Sequence, residues 1–316
     1  MVQRWNDVGR PGSTSGSAAQ PAYGDPMHTD AGFLGLVTGE GPGQFRFTVE
    51  NHLSRLDGRL YGGTAIAVSI TAAELVSERG ALWMTTQFVS TAPHGAVVSV
   101  LAEVLAPGKR TSQVRVTGTD TDGAVVFASL GATGVPRDGG LTGEFEHAPT
   151  VEPPDAAERW ASPFSGMARF AGEGFTPPPF PEGVGFTSVI ELRHPTILGH
   201  PDPGPGRLCL WVRRRDRQPI TAAVAAYMAD MVPLSVAHGC EVVAGGTSLD
   251  NSVRIGRFVE SEWILVDLRP HLAFGDYGHG AAHIWSEDGQ LMATASQTAS
   301  MIRFDLDEMA RGLERR

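Results

Sequence analysis

Residues 220–239 read ITAAVAAYMADMVPLSVAHG and are apolar around almost a whole helical circumference. A helix without a polar face is buried on all sides, so this stretch predicts a central, enclosed helix. Asp230 is its only charged residue, and Pro233 should kink or end the helix near that carboxylate. An enclosed carboxylate needs hydrogen-bond donors or a proton. The stretch fits a structural Asp held by backbone donors and a functional Asp equally well.

The composition limits the classes of protein to which the chain can belong. It has 316 residues, of which 41% are hydrophobic, with a net charge of −10 and a pI near 5.4. The length allows two domains, and the acidic balance argues against a nucleic acid or an anionic membrane as the main partner. We find no apolar run of the ~18 residues that a membrane span needs.

Cysteine and histidine usage points to a reducing compartment and to no metal. Cys209 and Cys240 lie in or near apolar segments without metal-ligand spacing, which predicts reduced thiols in the cytoplasm. The ten histidines show no paired ligand spacing either. We therefore expect no metal and no cofactor.

An internal repeat is visible in the order of the predicted elements. A strand, a buried helix and four strands on short turns occur in that order twice. The last hairpins align without gaps, TDGAVVFASLGAT at 121–133 against EDGQLMATASQTA at 287–299. The predicted strands are 45–50, 81–90, 96–106, 111–120 and 124–133 in the first half, and 187–195, 207–214, 247–257, 262–272, 278–286 and 291–303 in the second.

A helix enclosed within a unit of about 110 residues requires a sheet curled around it. The fold class predicted is therefore α+β, a double hot-dog with two antiparallel sheets, each wrapped around a central helix. The predicted domains are a flexible leader at 1–35, a first hot-dog domain at 36–135, a Pro/Gly-rich linker at 136–185, a second hot-dog domain carrying the catalytic residues at 186–304, and a tail at 305–316. Trp160, Phe164 and Phe170 suggest that part of the linker packs on the surface.

Alternation along the last strand places an amide in the same interior as Asp230. Gln297 falls on the face of Ala293, Ala295 and Ala299, which should press against the central helix. The aligned residue in the first half is Gly131, so this polar group is peculiar to the second half. A structural amide remains an alternative for Gln297.

Ser248 is less clearly placed. Alternation along 247–257 puts it with Asp250, Ser252 and Arg254 on the more polar, outer face, and Asn251 on the other. Ser248 could reach the interior from the strand's first residue or through a bulge.

The second half resembles the acyl-CoA thioesterase II family in YMADMVPLSVAHG, TSLDNSVRIGRFVESEWILVD and DGQLMATASQTASMIR. The first half resembles it in LYGGTAIAVSI and PGKRTSQVRVTGTDTDGAVVFASL, so the resemblance covers roughly residues 40–135 and 187–303. The family's Asp, Ser or Thr, and Gln fall on Asp230, Ser248 and Gln297. The chain departs from the family pattern at Asn251, where the family usually has His, and at Thr298-Ala299-Ser300 after the glutamine.

The resemblance implies hydrolysis of fatty acyl-CoA by a water molecule that Asp230, Ser248 and Gln297 hold and polarise. The substrate-binding residues are expected to be Tyr61, Gly62 and Gly63, because free N–H groups at a helix N-terminus can bind the developing oxyanion. A tight helix-start turn without a ligand is the alternative for the two glycines. We also expect an apolar tunnel at the site and a homo-oligomer, a dimer or larger.

Two other functions stay open at this point. One is a hydratase on the same fold, because Ala237-His238-Gly239 is similar to the end of a hot-dog hydratase motif. The other is a catalytically silent acyl-CoA-binding protein. The cluster Arg213, Arg214, Arg215 and Arg217 could meet CoA phosphates, but a solvated strand end is the stronger interpretation.

Overall fold

The computed structural model describes residues 26–163, 165–170, 183–199 and 204–305. Most of the predicted leader, Phe164, the Pro177-Pro178-Pro179 run and the tail beyond 305 lie outside these residues. The described helices are α1 (Pro26–Leu34), α2 (Gly62–Ser77), α3 (Ala222–Met228) and α4 (Val232–Gly239). None of these helices combines the length and the apolar character needed to cross a membrane.

The described residues form thirteen strands, whose positions follow the sequence prediction closely. They are β1 (Val37–Thr38), β2 (Gln44–Thr48), β3 (Gly80–Phe88), β4 (Val97–Pro107), β5 (Thr111–Thr119), β6 (Val125–Gly134), β7 (Glu158–Trp160), β8 (Ile190–His194), β9 (Leu208–Arg214), β10 (Ala244–Ile255), β11 (Ile264–Phe274), β12 (Tyr277–Ser286) and β13 (Leu291–Arg303). The short strand β7 arises within the predicted linker and pairs with β8.

The two predicted antiparallel sheets are joined edge to edge, so the described strands form one continuous antiparallel sheet. Its order is β1-β2-β4-β5-β6-β3-β10-β13-β12-β11-β9-β8-β7. The halves join where β3 pairs with β10, with Thr86 opposite Asn251. A free strand edge exposes unpaired backbone groups, and this pairing satisfies the edge of each half with the other. Every described strand pair is antiparallel, as predicted.

Each half places helices against its part of the sheet. Helix α2 packs on β3 to β6, and α4 packs on β9 to β13. All residues from Gly63 to Ala73 are buried, as the apolar sequence of α2 predicts. The stretch 220–239 forms two helices, because the chain leaves helical geometry between Ala229 and Met231. Pro233 lies in the first turn of α4, where its missing N–H costs no helical hydrogen bond.

The outer faces of the two halves differ. In the second half Trp211, Trp263 and Trp285 form a small core on this face, together with residues of the segment that precedes β8. Trp211 donates its indole N–H to the Glu152 carbonyl at 2.8 Å. In the first half Leu101, Leu105 and Leu130 remain 40–53% exposed.

Candidate active site

Asp230 lies in the break between α3 and α4, only 8% exposed. Residues in a helix keep their carbonyls in the helical ladder, whereas a break frees the backbone around it. The Tyr61 hydroxyl donates to the freed carbonyl of Asp230 at 3.3 Å. The predicted interruption of this helix therefore presents the carboxylate at a fixed point beside the first half.

The carboxylate of Asp230 rests against the N-terminus of α2. A Cβ atom on Gly62 would lie 2.4 Å from Asp230 Oδ2, and one on Gly63 would lie 2.3 Å from the Tyr227 carbonyl. Only glycine permits this approach at both positions. Tyr61, the N-cap residue, makes no side-chain cap, while the Gly63 N–H forms a hydrogen bond to Asp230. The Asp230 carboxylate thus lies at the positive N-terminus of α2, which no side chain of the N-cap residue caps.

A β-bulge brings Ser248 to the inner face. Ser248 lies opposite Ala299 on β13, but Asp250 already lies opposite Thr298, so Leu249 is the extra residue. Simple alternation would place Ser248 and Asn251 on opposite faces, whereas the bulge places both on the face of Gln297. The outer-face position that strict alternation suggests for Ser248 is therefore wrong, and the bulge route is the observed one. Its hydroxyl lies 3.5 Å from Asp230 Oδ1.

Gln297 connects the other two predicted residues. Its Nε2 donates to Asp230 Oδ1 at 2.5 Å and to Ser248 Oγ at 2.7 Å. The side chain is 1% exposed, and its Oε1 has no hydrogen-bond partner in the described part of the chain. The inner face predicted for Gln297 is confirmed, and the structure brings Asp230, Ser248 and Gln297 into direct contact.

Asn251 is a fourth polar group that the predicted site set omits. It is fully buried, lies opposite Gln297, and its Nδ2 is 3.3 Å from Asp230 Oδ1. The sequence carried a signal for it, because alternation already puts Asn251 on the face opposite to that of Asp250 and Ser252. An apolar neighbour, Val253, made that face look like ordinary core.

Burial dominates the electrostatics of Asp230. Desolvation raises the pKa of its carboxyl to about 7, although hydrogen bonds from Asn251, Gly63, Gln297 and Ser248 lower it in part. A carboxyl with a pKa near 7 is deprotonated in about half of the molecules at neutral pH. It can therefore accept a proton at the pH at which most enzymes work.

Tyr61 lies behind the site. Its ring is buried, stacked on Phe186 with centroids 4.2 Å apart, and meets Tyr227 edge-on at 5.2 Å. The structure thus gives Tyr61 a contact with the backbone of Asp230. Its predicted contact with substrate stays a prediction, as does the predicted apolar tunnel, because the two described clefts are lined by other residues.

The basic cluster around residue 214 forms ion pairs with neighbouring carboxylates. Arg213 contacts Glu191 at 2.7 Å and Glu262 at 2.6 Å, and Arg214 contacts Asp216 at 2.6 Å. The ion pairs lie at the end of β9, as predicted, but Arg213 and Arg214 are buried, so the solvated state predicted for the cluster is wrong for these two residues. Within the described ranges, no three His, Cys, Asp or Glu side chains are grouped so that they could hold a metal ion.

Comparison with known families gives two consecutive matches. Residues 52–134 match the acyl-CoA thioesterase N-terminal domain, and residues 151–301 match the acyl-CoA thioesterase C-terminal domain. The chain belongs to the acyl-CoA thioesterase family. Both halves of the chain are therefore thioesterase-family domains, and the resemblance noted in the sequence is confirmed.

Solved structures agree with this family. A candidate thioesterase from Novosphingobium aromaticivorans is 30% identical with a TM-score of 0.70, and the match covers 84% of this chain and 97% of that one. A hot dog fold protein of unknown function from Alicyclobacillus acidocaldarius is 21% identical with a TM-score of 0.70, over 88% and 99% of the two chains. The acyl-CoA thioesterase II TesB2 from Mycobacterium marinum is 18% identical with a TM-score of 0.65, over 88% and 98%.

The last two structures show likeness of fold. They establish the hot-dog fold for this thioesterase-family chain, and its two helix-on-sheet halves are consistent with a double hot-dog. Among curated proteins, none matches the chain.

Proposed function

We propose that this protein hydrolyses fatty acyl-CoA thioesters to free fatty acid and CoA. Family membership supports thioester hydrolysis in general, and the site supports a particular set of residues for it. The observation that carries the proposal is the contact of Gln297 Nε2 with both Asp230 Oδ1 and Ser248 Oγ, beside a carboxyl whose pKa is raised to about 7. This set joins a base to two neutral groups that can orient a water molecule.

In the proposed reaction Asp230 takes a proton from water as the oxygen attacks the thioester carbonyl. The tetrahedral intermediate then breaks its C–S bond, and Asp230 returns the proton to the departing CoA thiolate. The unpaired Gln297 Oε1 is an acceptor for the water's second proton, while its Nε2 stays on Asp230. Two acceptors then fix both O–H bonds, so a lone pair of the water faces the carbonyl carbon. The Ser248 hydroxyl accepts from Gln297 and keeps its own proton for donation, which helps to hold this geometry.

The substrate carbonyl needs hydrogen-bond donors as negative charge develops on its oxygen. The first N–H groups of α2 lack partners within the helix, and Gly62 lies directly beside the carboxylate. We propose that the N–H of Gly62 binds the oxyanion, while the Gly63 N–H holds Asp230. In this account Tyr61 positions Asp230 through its backbone carbonyl. The proposed reaction uses water alone and no cofactor.

Association of copies is also proposed. The exposed leucines on the outer face of the first half, Leu101, Leu105 and Leu130, offer an apolar surface for a second copy. We expect a dimer or larger, and light scattering that returned a 33.5 kDa particle at micromolar concentration would contradict it. The free thiols Cys209 and Cys240 support the cytoplasm as the proposed location.

The test of the proposed function is thiol release from palmitoyl-CoA, followed with a thiol reagent, beside the absorbance of a 2-enoyl-CoA. A thioesterase releases thiol and leaves the enoyl double bond unhydrated. A hydratase changes the enoyl absorbance without thiol release. A silent binding protein changes neither signal although it binds palmitoyl-CoA, and either of these results would overturn the proposal.

A further inference from the structure

The junction between the halves carries a second polar group next to the site. Strands β3 and β10 pair in antiparallel register, with Thr86 directly opposite Asn251. Side chains of such a pair lie on the same face, with Cβ atoms about 4.5–5.5 Å apart. Both are fully buried. A residue of the first half therefore borders the amide that contacts Asp230.

A chain of buried hydroxyl groups extends from Thr86 to helix α2. Ser69 Oγ donates to the Ala65 carbonyl at 2.7 Å, which uses its only proton. In the 2.8 Å contact of Ser69 with Ser129, Ser129 must then be the donor. In the 2.8 Å contact of Ser129 with Thr86, Thr86 must be the donor for the same reason. All three protons therefore point away from Asn251, and Thr86 offers it only lone pairs.

This direction matters for the orientation of Asn251. Its amide could in principle present either the NH2 group or the oxygen to Asp230. A carboxylate on one side and the lone pairs of Thr86 on the other are both acceptors, so both favour the NH2 group. The observed contact, Nδ2 to Asp230 Oδ1 at 3.3 Å, has this orientation. Oδ1 has no partner in the described part of the chain, as expected when its neighbours are acceptors.

We propose that Asn251 is a positioning residue for Asp230, and that the hydroxyl chain Thr86–Ser129–Ser69 of the first half fixes the amide in its donating orientation. The first half would then take part in the reaction of the second half through side chains as well as through the N-terminus of α2. The rate test of this inference rests on the proposed hydrolysis, whereas its titration test does not. An amide cannot ionise, so Asn251 presents the same donor to Asp230 at every working pH.

The electrostatics of the site agree with this geometry. Among the hydrogen bonds that lower the pKa of Asp230, the one from Asn251 comes first. The titratable groups packed beside Asp230 are Tyr61 and Tyr227, and burial raises the pKa of both hydroxyls well above the usual range. Neither tyrosine changes charge between pH 5 and 9. A titration in that range at this site reports on Asp230.

The experiment compares Asn251→Leu with a matched control, Ser252→Ala. Ser252 is the next residue on β10, and its hydroxyl contacts Thr85 across the same junction at 2.7 Å, but on the outer face. The readouts are the pKa of the Asp230 carboxyl by carbon-13 NMR and the pH profile of palmitoyl-CoA hydrolysis. In Asn251→Leu we expect the pKa of Asp230 to rise by about one unit. Hydrolysis should then be about fivefold slower at pH 7 and close to wild type at pH 8.5.

A second variant keeps the test decisive if Asn251→Leu does not fold. Thr86→Val preserves shape and removes the acceptor that faces Asn251, so we expect a smaller shift in the same direction. Ser252→Ala should shift neither readout. If both Asn251→Leu and Thr86→Val titrate like the wild type, the inference is overturned. If the wild type hydrolyses no thioester, the proposed function fails, and the NMR titration still decides the role of Asn251.

Discussion

The two halves share the same arrangement of helix and strands, but only the second half carries the polar set of Asp230, Ser248, Asn251 and Gln297. Gln297 aligns with Gly131, and the residues opposite them are Asn251 and Met84. Both strands contain a bulge at the same place, which makes Ala81 the counterpart of Ser248. Both helical segments are followed by a left-handed Glu, Glu78 and Glu241. Ala67 stands eleven positions before the first, as Asp230 does before the second.

The counterpart positions in the first half are therefore Ala67, Ala81, Met84 and Gly131, without an ionisable group. A Cβ on Gly131 would lie 2.8 Å from Met84 Sδ, so a methionine fills the space that two amides occupy in the second half. The repeated fold thus supplies equivalent positions in both halves, and we propose that the four polar side chains of the second half supply the chemistry. The first half keeps the supporting role, through the N-terminus of α2.

The largest expected effect on turnover comes from replacing Asp230 with alanine, the residue found at its counterpart position, Ala67, in the first half. Asp230→Ala removes the base, and we expect hydrolysis of palmitoyl-CoA to fall by roughly 10²–10⁴-fold. Thiol release measures it, with circular dichroism to confirm folding. The matched control is Met84→Leu in the first half, which should keep wild-type turnover. A loss of turnover in Met84→Leu as large as that in Asp230→Ala would contradict the proposal that the chemistry belongs to the second half.

The second expected effect concerns Gln297, for which we propose a role in orienting water without taking a proton. Gln297→Ala should lower turnover by about 10–10²-fold. The double variant Asp230→Asn with Gln297→Ala should be little slower than Asp230→Asn alone, because both residues act on one water molecule. Losses that multiply in the double variant would show that the two residues act independently.

The third effect tests the contribution of the first half. Gly62→Ala places a methyl group against Asp230 Oδ2, so the carboxylate or the helix must move. We expect about a tenfold loss of turnover, because small displacements of reacting groups are costly. Gly32→Ala is the control, since a Cβ there meets nothing within 4 Å. If both variants turned over palmitoyl-CoA at the wild-type rate, the N-terminus of α2 would have no part in the reaction.

The last prediction concerns stability. Burial raises the pKa of Asp230 from its ordinary value of 3.8 to about 7 in the fold, so between these values the folded state holds a proton that the unfolded state has released. Stability contributed by that proton is lost as pH rises toward 7, by at most about 1.4 kcal/mol per pH unit. Urea unfolding from pH 4.5 to 7.5 measures the slope, to which the buried carboxyls of Asp30 and Glu74, whose pKa values are also raised, contribute alike in the wild type and in Asp230→Asn. Asp230→Asn should be flatter by that amount, and equal slopes would mean that Asp230 is ionised in the fold throughout.

Local patterns in the sequence predicted most of the elements. The period of the strands, the turn at Gly62-Gly63 and the apolar stretch 220–239 each depend on neighbouring residues alone. Pro233 also predicted the break in the helix near Asp230. These features follow from steric and hydrogen-bonding rules that act within a few residues.

Features that depend on distant partners were harder to predict. The pairing of β3 with β10 joins residues far apart in the sequence, and no local signal distinguishes one sheet from two. The bulge at Leu249 reverses the face of Ser248, and alternation cannot reveal where a bulge falls. The predicted site set omits Asn251 because its contact with Asp230 forms only in the folded chain.

We propose above all that Asp230, a carboxyl with a pKa raised to about 7, is the base that acts with Ser248, Asn251 and Gln297. The most direct test of this proposal is kcat/KM for palmitoyl-CoA from pH 5 to 9 in the wild type and in Asp230→Asn. The account predicts that the wild-type value rises with a midpoint near pH 7, and that the variant binds acyl-CoA but loses both the rise and most of the activity. Wild-type turnover in a folded Asp230→Asn variant would contradict it, because the carboxylate would then only cap helix α2.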